Sequence, residues 1–397
     1  MNRNISSLYK MAGAKHRNII GLMSGTSLDG LDLAYCKIWG HGLETKVKIL
    51  AFETIDYSED TKEKIRKIFA KENINFPYLS MLNEWIGSLH GNMVKIFMAN
   101  HKIDASQVDV IASHGQTVMH SPKHQHRILE FPNATLQIGD GDHIAMNTGI
   151  ITISDFRQKH LAAGGEGAPL AVYGDYLIFS ESGEDRIMLN MGGIGNFTFL
   201  PGDGAASRVF VTDTGPGNTL MDAFMKNKYN RPYDYNAELA KKGSINHQLL
   251  TALKNHYFFK LDFPKTTGPE VFNMKFVEET IVLCGLSNTS DQDIMATLNY
   301  LSAVTITDAI RTVIANQYFH IYMSGGGAHN PLLVKTMQEL LPDCTFDLSD
   351  KLGIMGDAKE AVLFAVLANE TIAGNPIDFG VRQGVPGVCM GKISLPQ

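Results

Sequence analysis

The chain has 397 residues, 44% apolar and 19% charged, with a net charge of -6, and that length exceeds what one hydrophobic core supports, so two domains with a cleft between them are expected. The acidic balance leaves no surface suited to a polyanion, which makes nucleic acid an unexpected partner. The four cysteines lie far apart and form neither a zinc pattern nor a disulfide framework, no apolar run reaches the roughly 20 residues of a membrane span, and the polar N-terminus lacks a signal peptide's core, so a cytoplasmic protein without a membrane partner is expected.

Along the chain, residues 18–23 and 31–38 are apolar runs that read as two strands of a hairpin. Their turn, within GLMSGTSLDGLD, combines Gly25 and Gly30 with the hydroxyls of Thr26 and Ser27 and the carboxylates of Asp29 and Asp32. Such a set suits a nucleotide triphosphate with magnesium. No Gly-Lys-Ser/Thr ending and no following helix are present, which excludes a Walker A loop. Helical spacing follows at 59–73 and 78–101, then a buried-type strand at 108–112 that delivers His114 in SHGQT. His120, His124 and His126 lack carboxylate or cysteine partners at metal-ligand spacing, so the segment reads as a polar loop rather than a zinc site. Residues 154–170 read as a substrate loop in which Arg157 can clamp a carboxylate with two hydrogen bonds, with a solvated surface loop as the plainer reading.

A second strand, glycine turn and strand spans 186–200, followed by a strand at 209–212 and a run of helices, so the order of elements repeats and implies two similar lobes. Glycine turns at 192–195, 215–217 and 325–327 each follow a strand, where backbone amides can face an anion. In VTDTGPGN, Asp213 stands before a rigid Gly-Pro-Gly turn, a place for a general base, although a turn or capping aspartate explains it equally well. A long helix is expected over 291–317, then a strand at 320–323 and a helix from Asn330 and Pro331. A last helix opens near 356–362 with Asp357 and Glu360 in its first turn, where a capping carboxylate is the simpler explanation.

These residues, together with TLQIGDGDHIA, TGIITISDFR, GGEGAPL, LNMGGIGN, PKTTGPEVFN and MSGGGAHNPLL, closely resemble the anhydro-N-acetylmuramic acid kinases of the actin, sugar kinase and heat-shock ATPase superfamily, along almost the whole chain. The resemblance implies an α/β fold of two ribonuclease H-like lobes with an ATP and sugar cleft between them, divided here as residues 16–151 with part of the C-terminus, 152–375, and a C-terminal segment 376–397. It implies ATP and magnesium as cofactors, a small anhydrosugar as substrate, and a homodimer. Gly25, Thr26, Ser27, Leu28, Asp29, Gly30, Gly193, Gly215, Gly217, Gly325, Gly326 and Gly327 would bind ATP, with Asp29 and Glu360 organising the metal. Asp213 would be the catalytic base, and His114, Gln116, Arg157, Glu166, Gly167 and Asn218 would bind the sugar. The reaction implied is hydrolytic opening of 1,6-anhydro-N-acetylmuramic acid with phosphorylation of O6, a step in cell-wall recycling.

The chain departs from the family pattern at Glu166, in place of a usual Gln, and at Pro269, in place of a usual Arg. A carboxylate at Glu166 would repel the substrate's lactyl acid unless turned toward a cation. A levoglucosan-type anhydrosugar kinase and an inactive nucleotide-sensing regulator are the competing readings.

Overall fold

β1 (His16–Ser24) and β2 (Gly30–Trp39) form an antiparallel hairpin with Ile19 opposite Cys36 and Leu22 opposite Leu33. The computed structural model describes residues 2–168, 170–313, 318–380 and 385–397, and it divides into two compact units, Met1–Phe179 with Gly353–Gln397, and Ser180–Leu352. In the first unit β3 (Lys46–Asp56) pairs antiparallel with β2, β4 (Val110–Ser121) runs parallel to β1, and β5 (Ala134–Ile138) pairs with the far half of β4. β6 (Thr152–Ser154) pairs in parallel with β4, and the C-terminal strand Lys392–Ser394 closes the edge. That pairing explains why the divide falls after Phe179 rather than at 151/152 and why the chain returns to this unit from Gly353.

The second unit repeats the plan. β7 (Arg186–Met191), β8 (Ile194–Leu200) and β9 (Phe210–Pro216) are antiparallel, while β10 (His320–Ser324) and β11 (Thr345–Leu348) run parallel to β7. Counting the core strands in chain order, both sheets read 3-2-1-4-5. The duplication expected from the two glycine-turn hairpins is therefore present in strand order and direction.

Side-chain alternation explains how the first sheet is covered on both faces. Ile20 and Leu22 join Ile86, Val94 and Phe97 of the helix Phe76–Asn100 in one core cluster. Between them Gly21 faces the opposite way, against the helix Lys359–Ala373, whose residues 361–370 are all buried. A β-carbon on Gly21 would lie 1.9 Å from the carbonyl oxygen of Ala361, so the helix rests directly on the strand backbone. Gly21→Ala is expected to destabilise the fold by about 3 kcal/mol through overpacking, read from urea unfolding. A loss below about 1 kcal/mol would show that the helix can shift.

Several elements differ from the sequence expectation. The helix expected over 59–73 stops at Arg66, and the strand expected at 108–112 continues to Ser121 because β5 gives its far half a partner. His114 therefore lies within β4 rather than after it. Residues 154–170 are not simply a loop, since they contain the helix Phe156–Ala162. The helix expected over 291–317 runs Asp291–Val313, and 314–317 lie outside the described residues. Before β1, the helix Arg3–Ala12 is fastened by Arg17, whose guanidinium donates to the carbonyls of Met11, Ala14 and Gly40.

Candidate active site

In the first unit the turn between β1 and β2 exposes Thr26, Ser27 and Asp29, while Leu28 is buried, 4% exposed, in the core cluster. Leu28 takes a positive φ of 61°, a conformation L residues rarely adopt. Its side chain plugs the core, so only its backbone is available to a nucleotide. The base of the turn is fixed by a buried chain. Gln116 accepts from the Ser24 hydroxyl, and its amide donates to the carbonyls of Gly25 at 3.1 Å and Thr117 at 3.0 Å. Ser24 Oγ is 2.8 Å from Tyr57 Oη, which is 2.6 Å from His90 Nε2. Because each hydroxyl has one proton, the order of donation runs from His90 Nε2 through Tyr57 and Ser24 to Gln116. Gln116 is wholly buried, and its amide is committed to the turn. Its oxygen and its amide both engage the base of the β1–β2 turn, which it braces. Gln116→Leu should raise KM for nucleotide about tenfold and leave KM for sugar within about twofold. An unchanged nucleotide KM in steady-state assays would remove Gln116 from this role.

Beside the turn, Asp32 lies within electrostatic reach of Asp29, Asp357 and Glu360. Burial, then Asp357 and Asp29, push the Asp32 carboxyl above its usual range, against the hydrogen bond from Thr54. Glu360 is also raised, first by the surrounding protein and then by Asp32, while Arg157 and Lys359 oppose the shift. Raised neighbouring carboxyls are the condition a divalent cation relieves. Among the described residues no three ligands are gathered tightly enough to hold a metal alone.

Arg157, on the helix Phe156–Ala162, donates from Nε to His114 Nε2 at 2.8 Å and from Nη1 to the Gly167 carbonyl at 2.6 Å. The amide of Gly167 in turn donates to His160 Nδ1 at 3.0 Å. Both backbone groups of Gly167 are thus clamped from one helix, and Arg157 arranges the loop with two of its five N–H donors. Burial lowers the Arg157 guanidinium to about 10, with Glu360 opposing. Since an Arg Nε can only donate, His114 Nε2 is an acceptor and its proton sits on Nδ1. Burial first, then the Arg157 charge, depress His114 well below the ordinary histidine range.

A cavity of about 380 Å³ adjoins this cluster, lined by Ser113, His114, Gln137, Asp140, Ser154 and Lys392 among others. Ser113 Oγ, His114 Nδ1 and Gln137 Oε1 are buried and lack hydrogen-bond partners among the described residues. Glu166 is half exposed, with Oε1 3.7 Å from His124 Nδ1.

In the second unit Asp213 lies within β9, which continues through Pro216, beside a register shift at Gly195/Asn196. Its amide donates to the Lys265 carbonyl at 2.9 Å, and its Oδ2 accepts from the Thr267 amide at 2.8 Å. Burial raises this carboxyl to about 6, opposed by the Thr267 hydrogen bond. A carboxylate near neutrality with one oxygen anchored has the properties of a general base. The amides of Gly217, Asn218 and Thr219 bond the carbonyls of Gly192 and Gly193. They lock two turns together, so those amides do not face an anion. A β-carbon on Gly217 would meet the Gly192 carbonyl at 2.3 Å. Asn218 donates to the Met191 carbonyl at 2.9 Å and borders Gly326 and Gly327. It ties these glycine turns together. Gly215 and Gly325 both have positive φ, 133° and 79°.

Ser24, Tyr57, His90, Lys265 and Thr267 were not singled out from sequence. PKTTG contains the last two, but no spacing rule links them to Asp213. His90 sits four residues from Ile86 and Val94 on a buried helical face, where it reads as a core residue.

Two sheets of order 3-2-1-4-5, each opened by a hairpin, make a duplicated α/β fold. Within it, the chain belongs to the anhydro-N-acetylmuramic acid kinase family, whose description matches residues 17–390. It is 52% identical over 400 residues to the "Anhydro-N-acetylmuramic acid kinase" of Pseudoalteromonas atlantica, covering 100% of both chains. The protein of the same description from Bacillus cereus (strain AH187) is 36% identical over 383 residues, covering 95% of this chain and 99% of that one. Among the described residues no helix is long and apolar enough to cross a membrane.

Proposed function

We propose that this protein uses ATP to open 1,6-anhydro-N-acetylmuramic acid with water and phosphorylate O6, giving N-acetylmuramic acid 6-phosphate. The observation that carries the reading is the half-buried Asp213 carboxyl near pKa 6, aimed by Thr267, in a chain of this family. Asp213 Oδ1 takes a proton from the water whose oxygen bonds the anomeric carbon. The bond from that carbon to O6 breaks, and O6 accepts the γ-phosphoryl group as ADP leaves. Phosphoryl transfer needs positioning and charge neutralisation more than covalent participation. In the first unit, Gly25, Thr26, Ser27, Asp29 and Gly30 would hold the phosphates. Asp29 and Glu360 would hold magnesium, directly or through water, and the ion supplies positive charge at the phosphoryl oxygens when bound. Gly193, Gly325, Gly326 and Gly327 would contact the nucleotide. His114 and the clamped Gly167 loop would contact the sugar.

The test is ADP release with 1,6-anhydro-N-acetylmuramic acid, levoglucosan or no sugar, with the product weighed by mass spectrometry. Turnover on the muramic compound, with a product heavier by water plus a phosphoryl group, is expected. A preference for levoglucosan would overturn the substrate, and silence with every sugar despite nucleotide binding would overturn the enzyme.

A further inference from the structure

Lys265 is only 8% exposed, yet no carboxylate lies within ion-pair distance of it among the described residues. Its ammonium donates to the carbonyls of Phe258 at 3.1 Å and Leu261 at 3.4 Å, and it sits 4.7 Å and 4.3 Å from the ring centroids of Phe258 and Phe263. Carbonyls and ring faces replace part of its hydration, but stability alone does not explain the charge. An apolar side chain of the same length would fill that space without a desolvation penalty.

The backbone attached to this lysine grips the catalytic strand. The Lys265 amide donates to Thr212 Oγ1 at 3.0 Å, its carbonyl accepts from the Asp213 amide, and two residues on the Thr267 amide meets Asp213 Oδ2. The segment to which the ammonium is tied, Tyr257–Lys260, also touches this strand, since a β-carbon on Gly215 would meet the Phe259 ring at 2.8 Å. Thus one side chain joins the aromatic turn to the strip of backbone that fixes Asp213 at both its amide and its carboxylate.

We propose that Lys265 is a positioning residue, the pin of a backbone clamp that aims the Asp213 carboxylate and leaves its Oδ1 free for the attacking water. The proposal rests on Asp213 being the base. The lysine acts through geometry, because burial and the Thr267 hydrogen bond are the causes of Asp213's displaced titration and the lysine charge is not among them.

The experiment is the pH profile of kcat/KM, with kcat and both KM values, for the full chain and for Lys265→Met, Lys265→Arg and Thr267→Pro, assayed with ATP, magnesium and the anhydrosugar. Lys265→Met should lower kcat about 10-fold to 100-fold with each KM within about twofold, as expected when a reacting group is misaimed. Its acid limb should move upward by about half a pH unit, because Asp213 loses a hydrogen bond to its charged form. Lys265→Arg keeps the cation and its donors and should recover most of both effects. Thr267→Pro deletes the donor while leaving the cage in place and should give the same limb shift, so the proposal remains testable if Lys265→Met does not fold. An unmoved acid limb in the variants that fold overturns the clamp. Asp213→Asn run alongside separates the two ideas: near-native turnover there removes the base, whereas a large loss there with unmoved limbs elsewhere removes only the clamp.

Discussion

Asp213→Asn lowers turnover by about 10²-fold to 10⁴-fold and leaves nucleotide and sugar affinity within about twofold. The amide oxygen can still accept from the Thr267 N–H that now meets Asp213 Oδ2 at 2.8 Å, so the side chain keeps its place and loses only its basicity. Single-turnover kinetics with separately measured binding distinguish the two contributions. In the native enzyme kcat/KM falls below a limb set by the carboxyl near 6, because the protonated acid cannot take a proton from water. That limb disappears in the Asn variant. A near-native rate in the variant would remove Asp213 as the base and leave its raised carboxyl without a catalytic purpose.

The division of what the sequence discloses follows from range. The β1–β2 hairpin was readable because apolar runs flank a turn of glycines and hydroxyls, which is local information. The same holds for Asn330, which caps the helix Pro331–Leu340 by accepting from the Leu333 amide. The duplication was readable because the two hairpins repeat the same order of local signals. The end of β4 was not, because residues beyond 112 are mostly polar and stay in strand by pairing with β1 as far as Gln116 and with β5 beyond it, a partner that arrives after an intervening helix and turn.

At the site, residue identity disclosed chemistry but not assignment. Gln116, His114 and Arg157 sit near one another as a substrate set would, yet Gln116 faces the phosphate turn and Arg157 is engaged with His114 and Gly167. Which partner a polar side chain chooses depends on contacts between segments far apart in sequence, and a buried group takes whichever partner satisfies it. Lys265 is the sharpest case. In the sequence it looks like a loop lysine, and only the convergence of Phe258, Leu261 and Phe263 shows a buried cation.

Three neutral histidines make the fold acid-labile well before its ordinary carboxylates titrate. His90 and His160 are wholly buried, and burial is the leading cause that holds each near 4, with Arg157 adding to it at His160. His114 is depressed in the same direction by burial and Arg157. A histidine whose folded pKa lies below its unfolded value carries no penalty above about 6.5, and its penalty grows as pH falls from there toward the folded value. At pH 5 each of His90 and His160 removes roughly 2 kcal/mol, a large part of a total stability of about 5–15 kcal/mol. The raised Asp213 carboxyl acts with the opposite sign, binding its proton first in the folded state, and returns roughly 1 kcal/mol at that pH. Protonation also has a local consequence. A proton on His160 Nδ1 would face the Gly167 N–H, and one on His114 Nε2 would face the Arg157 Nε–H, so acid loosens both supports of the Gly167 loop. Urea midpoints measured between pH 7.5 and 5 should therefore decline. His160→Asn, whose amide oxygen can accept from Gly167, should lessen the decline by roughly 2 kcal/mol at pH 5. Equal pH slopes in the native and Asn proteins would show that His160 is not held neutral by the fold.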